Sequence, residues 1–215
     1  MSSAEAFIDR GPRILEEVRS RAREWTGLAE DLAKLESPSS NREAQGPVLQ
    51  IFAASLEQVG LHVRRVRAST GGGLLLGVPR RVRGQPVQLI LGHCDTVWPL
   101  GTTRRMPVQR DGPLLRGPGV FDMKAGLASI VVALRVLSSL GLSPSVAPIV
   151  LVNSDEETGS RESTRHIRRL ARRASRAFVL EPALGLEGRL KTARMGVGRF
   201  TVRISGRASH AGLDP

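Results

Sequence analysis

Histidine and acidic residues gather at four places in the sequence, and each place follows a predicted strand or opens a predicted helix. His93 and Asp95 follow one apolar run, residues 155–157 (Asp-Glu-Glu) follow a second, and Glu181 follows a third. Asp122 lies at the start of a long apolar helix, after a turn rich in glycine. Because ligands bind beyond the carboxyl ends of strands in open α/β sheets, we expect these side chains to meet at one edge of a sheet.

Together these side chains are suited to a metal centre that performs hydrolysis. One histidine and several carboxylates form the mixed nitrogen and oxygen set that zinc accepts. Two dications about 3.5–4 Å apart can bind one water and stabilise both oxygens of an addition intermediate. A further carboxylate, not bound to metal, is needed to take the proton of that water. Asp95 lies two residues after His93, so its carboxylate is placed to accept the other N–H of the imidazole and fix the tautomer.

Each of these residues alone also has a plainer interpretation. A lone histidine after a strand is usually structural, and carboxylates in a loop are usually solvated. Asp122 alone would suit the N-cap of a helix, and Glu181 alone would suit an exposed surface. The metal-centre hypothesis therefore depends on these residues occurring together.

The elements that must position these residues alternate in type along the chain. Hydrophobic periodicity predicts helices over residues 12–35, then up to residue 59 after a polar break at 36–41, over 123–140 and over 160–176. Strands are predicted over residues 61–67, 74–78, 87–91, 147–152, 177–180 and 198–205, with a hairpin within 106–115. The order strand, helix, strand, helix, strand after residue 86 predicts an α/β fold whose central, mostly parallel sheet is flanked by helices.

The charge of the chain offers a competing interpretation. The net charge is +12, and the densest basic run, residues 161–176, holds seven arginines. Ile167 and Leu170 recur there at helical spacing, which is typical of a helix with one solvated basic face. No aromatic residues interleave with the arginines, so stacking of nucleic-acid bases has little support. A nucleic-acid-binding protein remains the rival hypothesis, and salt-dependent retention on DNA without zinc would favour it.

The sequence also bears on the compartment. The single cysteine, Cys94, allows no disulfide within the chain, which suits a reducing environment. Residues 1–23 are charged throughout and lack an apolar signal core, and the apolar run 128–134 is too short to span a membrane. These features predict a cytoplasmic protein with no membrane partner, and the lack of aromatic residues among the arginines favours a protein with no nucleic-acid partner.

Four strings of the sequence resemble the motifs of one family. They are GHCDTV at 92–97, GPGVFDMK at 117–124, DEETGS at 155–160 and SHAGLDP at 209–215. In this order, and over about residues 30–215, they are similar to the zinc peptidases and deacylases that include glutamate carboxypeptidase, aminoacylase, acetylornithine deacetylase and succinyl-diaminopimelate desuccinylase. The glutamate carboxypeptidase branch is the most similar. The resemblance implies a catalytic domain over residues 1–190 and the start of an inserted α+β lid domain over 191–215, whose first strand is the one predicted at 198–205.

The resemblance implies a role for each ligand. His93 and Glu181 would bind one metal ion, Glu157 would bind a second, and Asp122 would bridge the two. The expected cofactor is zinc, with two ions in the full-length family member and with cobalt or manganese as alternatives.

The resemblance also implies the remaining roles. Glu156 would be the general base that activates the bridging water and returns the proton to the leaving nitrogen, and Asp95 would orient His93. The peptide bond between Asp122 and Met123 is expected to be cis. His210, in the lid, would help to stabilise the oxyanion, commonly across a dimer interface. The implied substrate is a small peptide or an N-acyl amino acid, and the implied assembly is a homodimer formed through the lid.

One element of the family pattern has no counterpart in the sequence. Family members supply a second metal-binding histidine after the lid, and neither His62 nor His166 lies in a matching motif. The expectation is therefore a fragment of a longer enzyme with one complete metal site. A third hypothesis is a truncated relative that folds through about residue 190 but is inert, and an activity assay on this chain would separate it from the first.

Overall fold

The computed structural model describes residues 10–69, 71–80, 84–198, 200–207, 209–210 and 212–213. The chain divides into two units between Pro182 and Ala183. The domain ranges 1–190 and 191–215 remain predictions.

The helices of the first unit match most of the predicted ones. They are α1 (Gly11–Ser20), α2 (Ala22–Lys34), α3 (Arg42–Gln58), α4 (Thr102–Arg105), α5 (Ala125–Ser139) and α6 (Thr164–Ala171). The helix predicted over 12–35 is in fact two, because the backbone turns at Arg21 (φ −93°, ψ 13°), and both α1 and α2 pack against α5. In the described part of the chain, none of these helices has the length and apolarity that a bilayer crossing requires.

Within the described residues, the strands form one five-stranded sheet and one hairpin. They are β1 (Leu61–Val66), β2 (Leu74–Pro79), β3 (Val87–His93), β4 (Gln109–Asp111), β5 (Leu114–Arg116), β6 (Ala147–Asn153) and β7 (Ala174–Val179). The predicted basic helix over 160–176 was too long, since residues from Ala174 onward pair with β3 as β7. Residues 172–176 have no apolar face that a helix could bury, whereas pairing with β3 satisfies their backbone groups.

The five-stranded sheet has the order β1-β2-β6-β3-β7. β3 pairs in parallel with both β6 and β7, and β2 pairs antiparallel with both β1 and β6. The predicted mostly parallel sheet flanked by helices is therefore confirmed, with β2 as the single reversed strand. His93 lies opposite Asn153, and Leu91 lies opposite Val179. The segments that follow β3, β6 and β7 therefore leave the sheet at the same edge.

Apolar side chains fill both faces of this sheet. On one face, Phe52 of α3 and Leu127 of α5 are fully buried together with Val150 of β6. On the other face, Leu89 of β3 packs with neighbours that include Ile167 of α6. Fully burying such a side chain stabilises the fold by roughly 1.5–3 kcal/mol. All seven residues of β6 are buried, as its continuous apolar run predicts for a strand covered on both faces.

The second unit carries little regular structure in its described residues. Leu184 and Arg189 form an isolated antiparallel bridge. The strand predicted over 198–205 is not formed at 198 or 200–205, and Arg199 lies outside the described residues. Phe200, Val202 and Ile204 are exposed. A strand requires backbone partners on a neighbouring strand, and the described residues of this segment pair with none.

Candidate metal centre

Five of the predicted side chains converge at the edge of the sheet where β3, β6 and β7 end. His93, the last residue of β3, is 1% exposed. Its Nε2 lies 3.0 Å from Asp122 Oδ1 and 3.3 Å from Glu181 Oε1. Donor atoms of His93, Glu156 and Glu181 lie within 4.8 Å of one another, and the same holds for His93, Asp122 and Glu157. Carboxylates from three other segments of the chain thus lie close to the His93 imidazole.

Glu181 is positioned by the continuation of β7 and by a close approach of α5. The N–H of Leu180 donates to the carbonyl of Leu91 at 3.0 Å, which extends the pairing with β3 up to the residue before Glu181. Gly126, in the first turn of α5, lies against this segment so closely that a Cβ there would overlap the carbonyl of Leu180. The absence of a side chain at Gly126 therefore permits the packing that places Glu181 beside His93.

Asp122 is positioned by the kinked turn Val120–Lys124 that precedes α5. The Asp122–Met123 peptide bond is cis, as the resemblance implied. Met123 is buried, and its Sδ accepts a hydrogen bond from the backbone N–H of His93 at 3.1 Å. The turn is thereby fixed beneath β3, and the Asp122 carboxylate faces the imidazole.

Asp95 is fully buried and joins two parts of the site. His93 Nδ1 lies 2.9 Å from the Asp95 backbone carbonyl but 3.5 Å from its carboxylate, so the carbonyl is the better acceptor of the imidazole N–H. The carboxylate accepts from the hydroxyl of Ser39 at 2.8 Å, and from the backbone N–H groups of Glu156 and Glu157 at 3.2 Å each. A donor at Nδ1 leaves the Nε2 lone pair free to face a metal ion.

The charges of the site are poorly balanced by the protein alone. Burial opposes protonation of His93, but the carboxylates of Asp95 and Glu181 outweigh burial and raise the pKa of His93 to about 11. Burial raises the pKa of Asp122, and the adjacent Glu181 carboxylate raises it further. Burial likewise raises the pKa of Glu156, and its neighbouring carboxylates add to this effect. A cluster with this surplus of negative charge is suited to bind divalent cations.

The loop that carries Glu156 and Glu157 is held from its other side by a network that the sequence did not reveal. Asn153 donates from its side-chain amide to Asp155 Oδ1 at 3.0 Å and to Ser163 Oγ at 2.8 Å. Asp155 Oδ2 accepts from the backbone N–H of Ser163 at 3.1 Å. Asp155, which the sequence marked only as part of an acidic cluster, thus closes the loop and does not face the imidazole cluster.

Lys124 is a second residue that sequence reasoning missed. It is 1% exposed, and its Nζ donates to the carbonyl of Leu35 at 2.6 Å. Burial lowers the pKa of Lys124 to about 8. This contact ties the turn that holds Asp122 to the segment after α2. The only signal in the sequence was the position of Lys124 directly after the Asp122–Met123 pair.

His210 lies in the second unit, and its role remains a prediction. Its side chain is exposed, and Nδ1 accepts a hydrogen bond from the backbone N–H of Gly212 at 3.2 Å. Ala211, Asp214 and Pro215, from the same motif, lie outside the described residues.

Comparison with known proteins decides the family. The model of peptidase family M20/M25/M40 matches residues 89–210. The chain belongs to this family. Carboxypeptidase G2 of Pseudomonas sp. (strain RS-16) is 30% identical over 190 residues, which cover 86% of this chain and 45% of that protein. Succinyl-diaminopimelate desuccinylase of Delftia acidovorans is 31% identical over 194 residues, which cover 82% of this chain and 49% of that protein.

Solved structures share the fold. Human carnosine dipeptidase 1 superposes with a TM-score of 0.67 at 15% identity, covering 80% of this chain and 41% of that one. The metallo-carboxypeptidase Sso-CP2 of Sulfolobus solfataricus gives a TM-score of 0.65 at 17% identity, covering 77% and 39%. The resemblance seen in the motifs is confirmed, and with it the assignment to a family of hydrolases. The chain spans about half the length of the curated relatives it matches.

Proposed function

We propose that this protein is a metal-dependent hydrolase that cleaves an amide bond in a small peptide or an N-acyl amino acid, as carboxypeptidases and deacylases do. The observation that carries the proposal is the convergence of His93, Asp122, Glu157 and Glu181 on one point, with Glu156 beside them. Membership of the M20 family supports the same class of reaction.

The donor set fits divalent metal ions. His93, Asp122 and Glu181 would hold one ion, and Asp122 with Glu157 would provide ligands to a second. One imidazole with several carboxylates is suited to zinc, and cobalt and manganese are the alternatives. When bound, such ions supply Lewis acidity toward the carbonyl oxygen and lower the pKa of an attacking water.

We assign Glu156 the role of general base. As a whole residue Glu156 is exposed, whereas Glu157 is half-buried. The backbone N–H of Glu156 is bonded to Asp95, which orients the residue without occupying its side chain. The carboxylate can therefore take a proton from water and deliver it to the leaving nitrogen. Because a donor atom of Glu156 also lies near His93 and Glu181, a ligand role is the alternative.

Metal depletion and reconstitution test this function. The protein is assayed on a panel of dipeptides and N-acyl amino acids as purified, after chelation, and after addition of zinc, cobalt or manganese. Hydrolysis should disappear on chelation and return with metal, while His93→Ala should show neither activity nor reconstitution. Hydrolysis that survives chelation would refute the metal-dependent mechanism. The homodimer, the oxyanion role of His210 and the cytoplasmic location remain predictions.

A further inference from the structure

The segment between α2 and α3 lies along the loop that follows β3. Pro38 bridges Thr96 in parallel, and the N–H of Ser39 donates to the carbonyl of Thr96 at 3.1 Å. The N–H of Thr96 in turn donates to the carbonyl of Ser37 at 2.9 Å, and the hydroxyl of Ser37 donates to the carbonyl of Cys94 at 2.6 Å. Residues 37–39 thus splint the loop that connects His93 to Asp95.

Ser39 connects this splint to the metal centre. Among the described residues, it supplies the one hydroxyl that donates to the Asp95 carboxylate. That bond, at 2.8 Å, is shorter than the 3.3 Å from the same hydroxyl to the carbonyl of Thr96, so the carboxylate is the preferred acceptor. It is also shorter than the two 3.2 Å bonds that Asp95 receives from the backbone of Glu156 and Glu157.

We propose that Ser39 is a positioning residue of the metal centre, which fixes the rotation of the Asp95 carboxylate and thereby the relative placement of His93 and the Glu156–Glu157 loop. This inference rests on the proposed function. A carboxylate with two oxygens must be rotated correctly for each oxygen to meet its own backbone donor. Oδ1 accepts from Glu156 and Oδ2 accepts from Glu157, and the hydroxyl of Ser39 binds Oδ2. Without that hydroxyl, the carboxylate would be held by the two longer backbone bonds and by the 3.5 Å contact with His93 Nδ1.

Ser37 provides the matched control. Its hydroxyl belongs to the same splint and is fully buried, but it donates to the carbonyl of Cys94, whereas that of Ser39 donates to the Asp95 carboxylate. Ser37→Ala therefore removes a bond from the splint, whereas Ser39→Ala removes a bond from Asp95. Ser39→Thr keeps a hydroxyl at the position and serves as the rescue variant.

The test measures metal binding and catalysis separately. Co²⁺ is titrated into the metal-free protein and followed by visible absorption, kcat and KM are measured on the best substrate, and thermal unfolding reports stability. Ser39→Ala should weaken Co²⁺ binding by about 10-fold or more, and lower kcat by a similar factor with KM little changed, as loss of an outer-shell partner does. Ser39→Thr should restore both properties. Ser37→Ala should lower the melting temperature while Co²⁺ affinity and kcat stay near those of the wild type.

Two results would overturn the inference while leaving the proposed function intact. One is a Ser39→Ala protein that binds Co²⁺ and turns over like Ser37→Ala, and the other is a Ser39→Thr protein that folds but does not recover. A wild-type protein that fails to bind Co²⁺ at all would overturn both the inference and the proposed function.

Discussion

The buried amide of Gln45 allows the hydrogen bonding around the metal centre to be tested by a change of almost no volume. Gln45 is fully buried in α3. Its Nε2 donates to the carbonyls of Pro38 and Ser154 at 3.1 Å each, and its Oε1 accepts from the N–H of Gly72 at 2.6 Å. The Gln45 side chain thus connects residues 37–39, the segment that precedes β2, and the start of the loop that carries Glu156 and Glu157.

Gln45→Glu replaces the donating amide nitrogen with an oxygen that faces two carbonyls. Each carbonyl that loses its partner in a buried site costs about 1–3 kcal/mol, so the ionised variant should be destabilised by about 2–6 kcal/mol. That is a large part of the 5–15 kcal/mol by which a typical domain is stable. Protonation of the introduced carboxyl restores one donor, so its pKa in the folded protein should lie above the value of about 4.3 in the unfolded chain.

The sign of the pH dependence follows from that raised pKa. Below the unfolded pKa the carboxyl is protonated in both states, and the penalty is smallest. As the pH rises toward the folded pKa, the unfolded chain ionises first, and the destabilisation grows by about 1.4 kcal/mol per pH unit. Above the folded pKa the penalty is constant.

Urea denaturation at about pH 5 and about pH 8 measures this change, with each variant compared with the wild type at the same pH. Gln45→Met, which also lacks the donors but cannot ionise, should be destabilised equally at both pH values. A Gln45→Glu penalty that does not grow with pH would refute the inference that the two carbonyls face the amide nitrogen.

Three further predictions concern the metal centre and its supports. Glu156→Gln should retain metal but lose about 10²–10⁴-fold in kcat, as loss of a general base does; loss of bound metal would instead make Glu156 a ligand, and an unchanged rate would remove it from the mechanism. The chain should bind about one tight equivalent of zinc, because the proposed assignment gives three ligands to one ion and two to the other, and His93→Ala should abolish this binding. Two tight equivalents by metal analysis, or unchanged zinc in the variant, would contradict the ligand assignment. Gly126→Ala should lower the melting temperature and metal affinity, because its Cβ would overlap the Leu180 carbonyl. Gly27 lies in α2 with open space around it, so Gly27→Ala should instead stabilise the fold by about 0.5–1 kcal/mol. Equal effects of the two substitutions would refute the packing argument.

The sequence predicted those features whose signals are local. The continuous apolar run of β6 indicated a strand covered on both faces, and all seven of its residues are buried. Histidine and acidic side chains at or just after the ends of β3, β6 and β7 were predicted to meet, because parallel strands end at one edge of a sheet. His93 and Glu181 do lie 3.3 Å apart. The motifs added the roles that periodicity alone could not assign, and these roles remain to be tested.

Features that depend on distant parts of the chain could not be predicted in the same way. The segment at 36–41 was interpreted only as a polar break, because nothing local shows that Ser39 meets a carboxylate 56 residues later. The end of α6 was placed too late because apolar residues such as Ile167 and Leu170 recur there at helical spacing, and only the edge of β3 draws residue 174 and its successors into a strand. The acceptor for His93 Nδ1 depended on the exact path of the backbone at Asp95, which residue spacing does not specify.

The shared use of Asp95 has a consequence for attempts to redesign this centre. One acid group touches both the loop that bears the imidazole and the loop that bears the proposed base and a proposed ligand. Under the proposed roles, a substitution that moves one of the metal ligands would therefore also displace the proposed base. If those roles hold, metal preference and proton transfer are mechanically linked through Asp95, and an engineer who varies one of them must compensate for movement of the other.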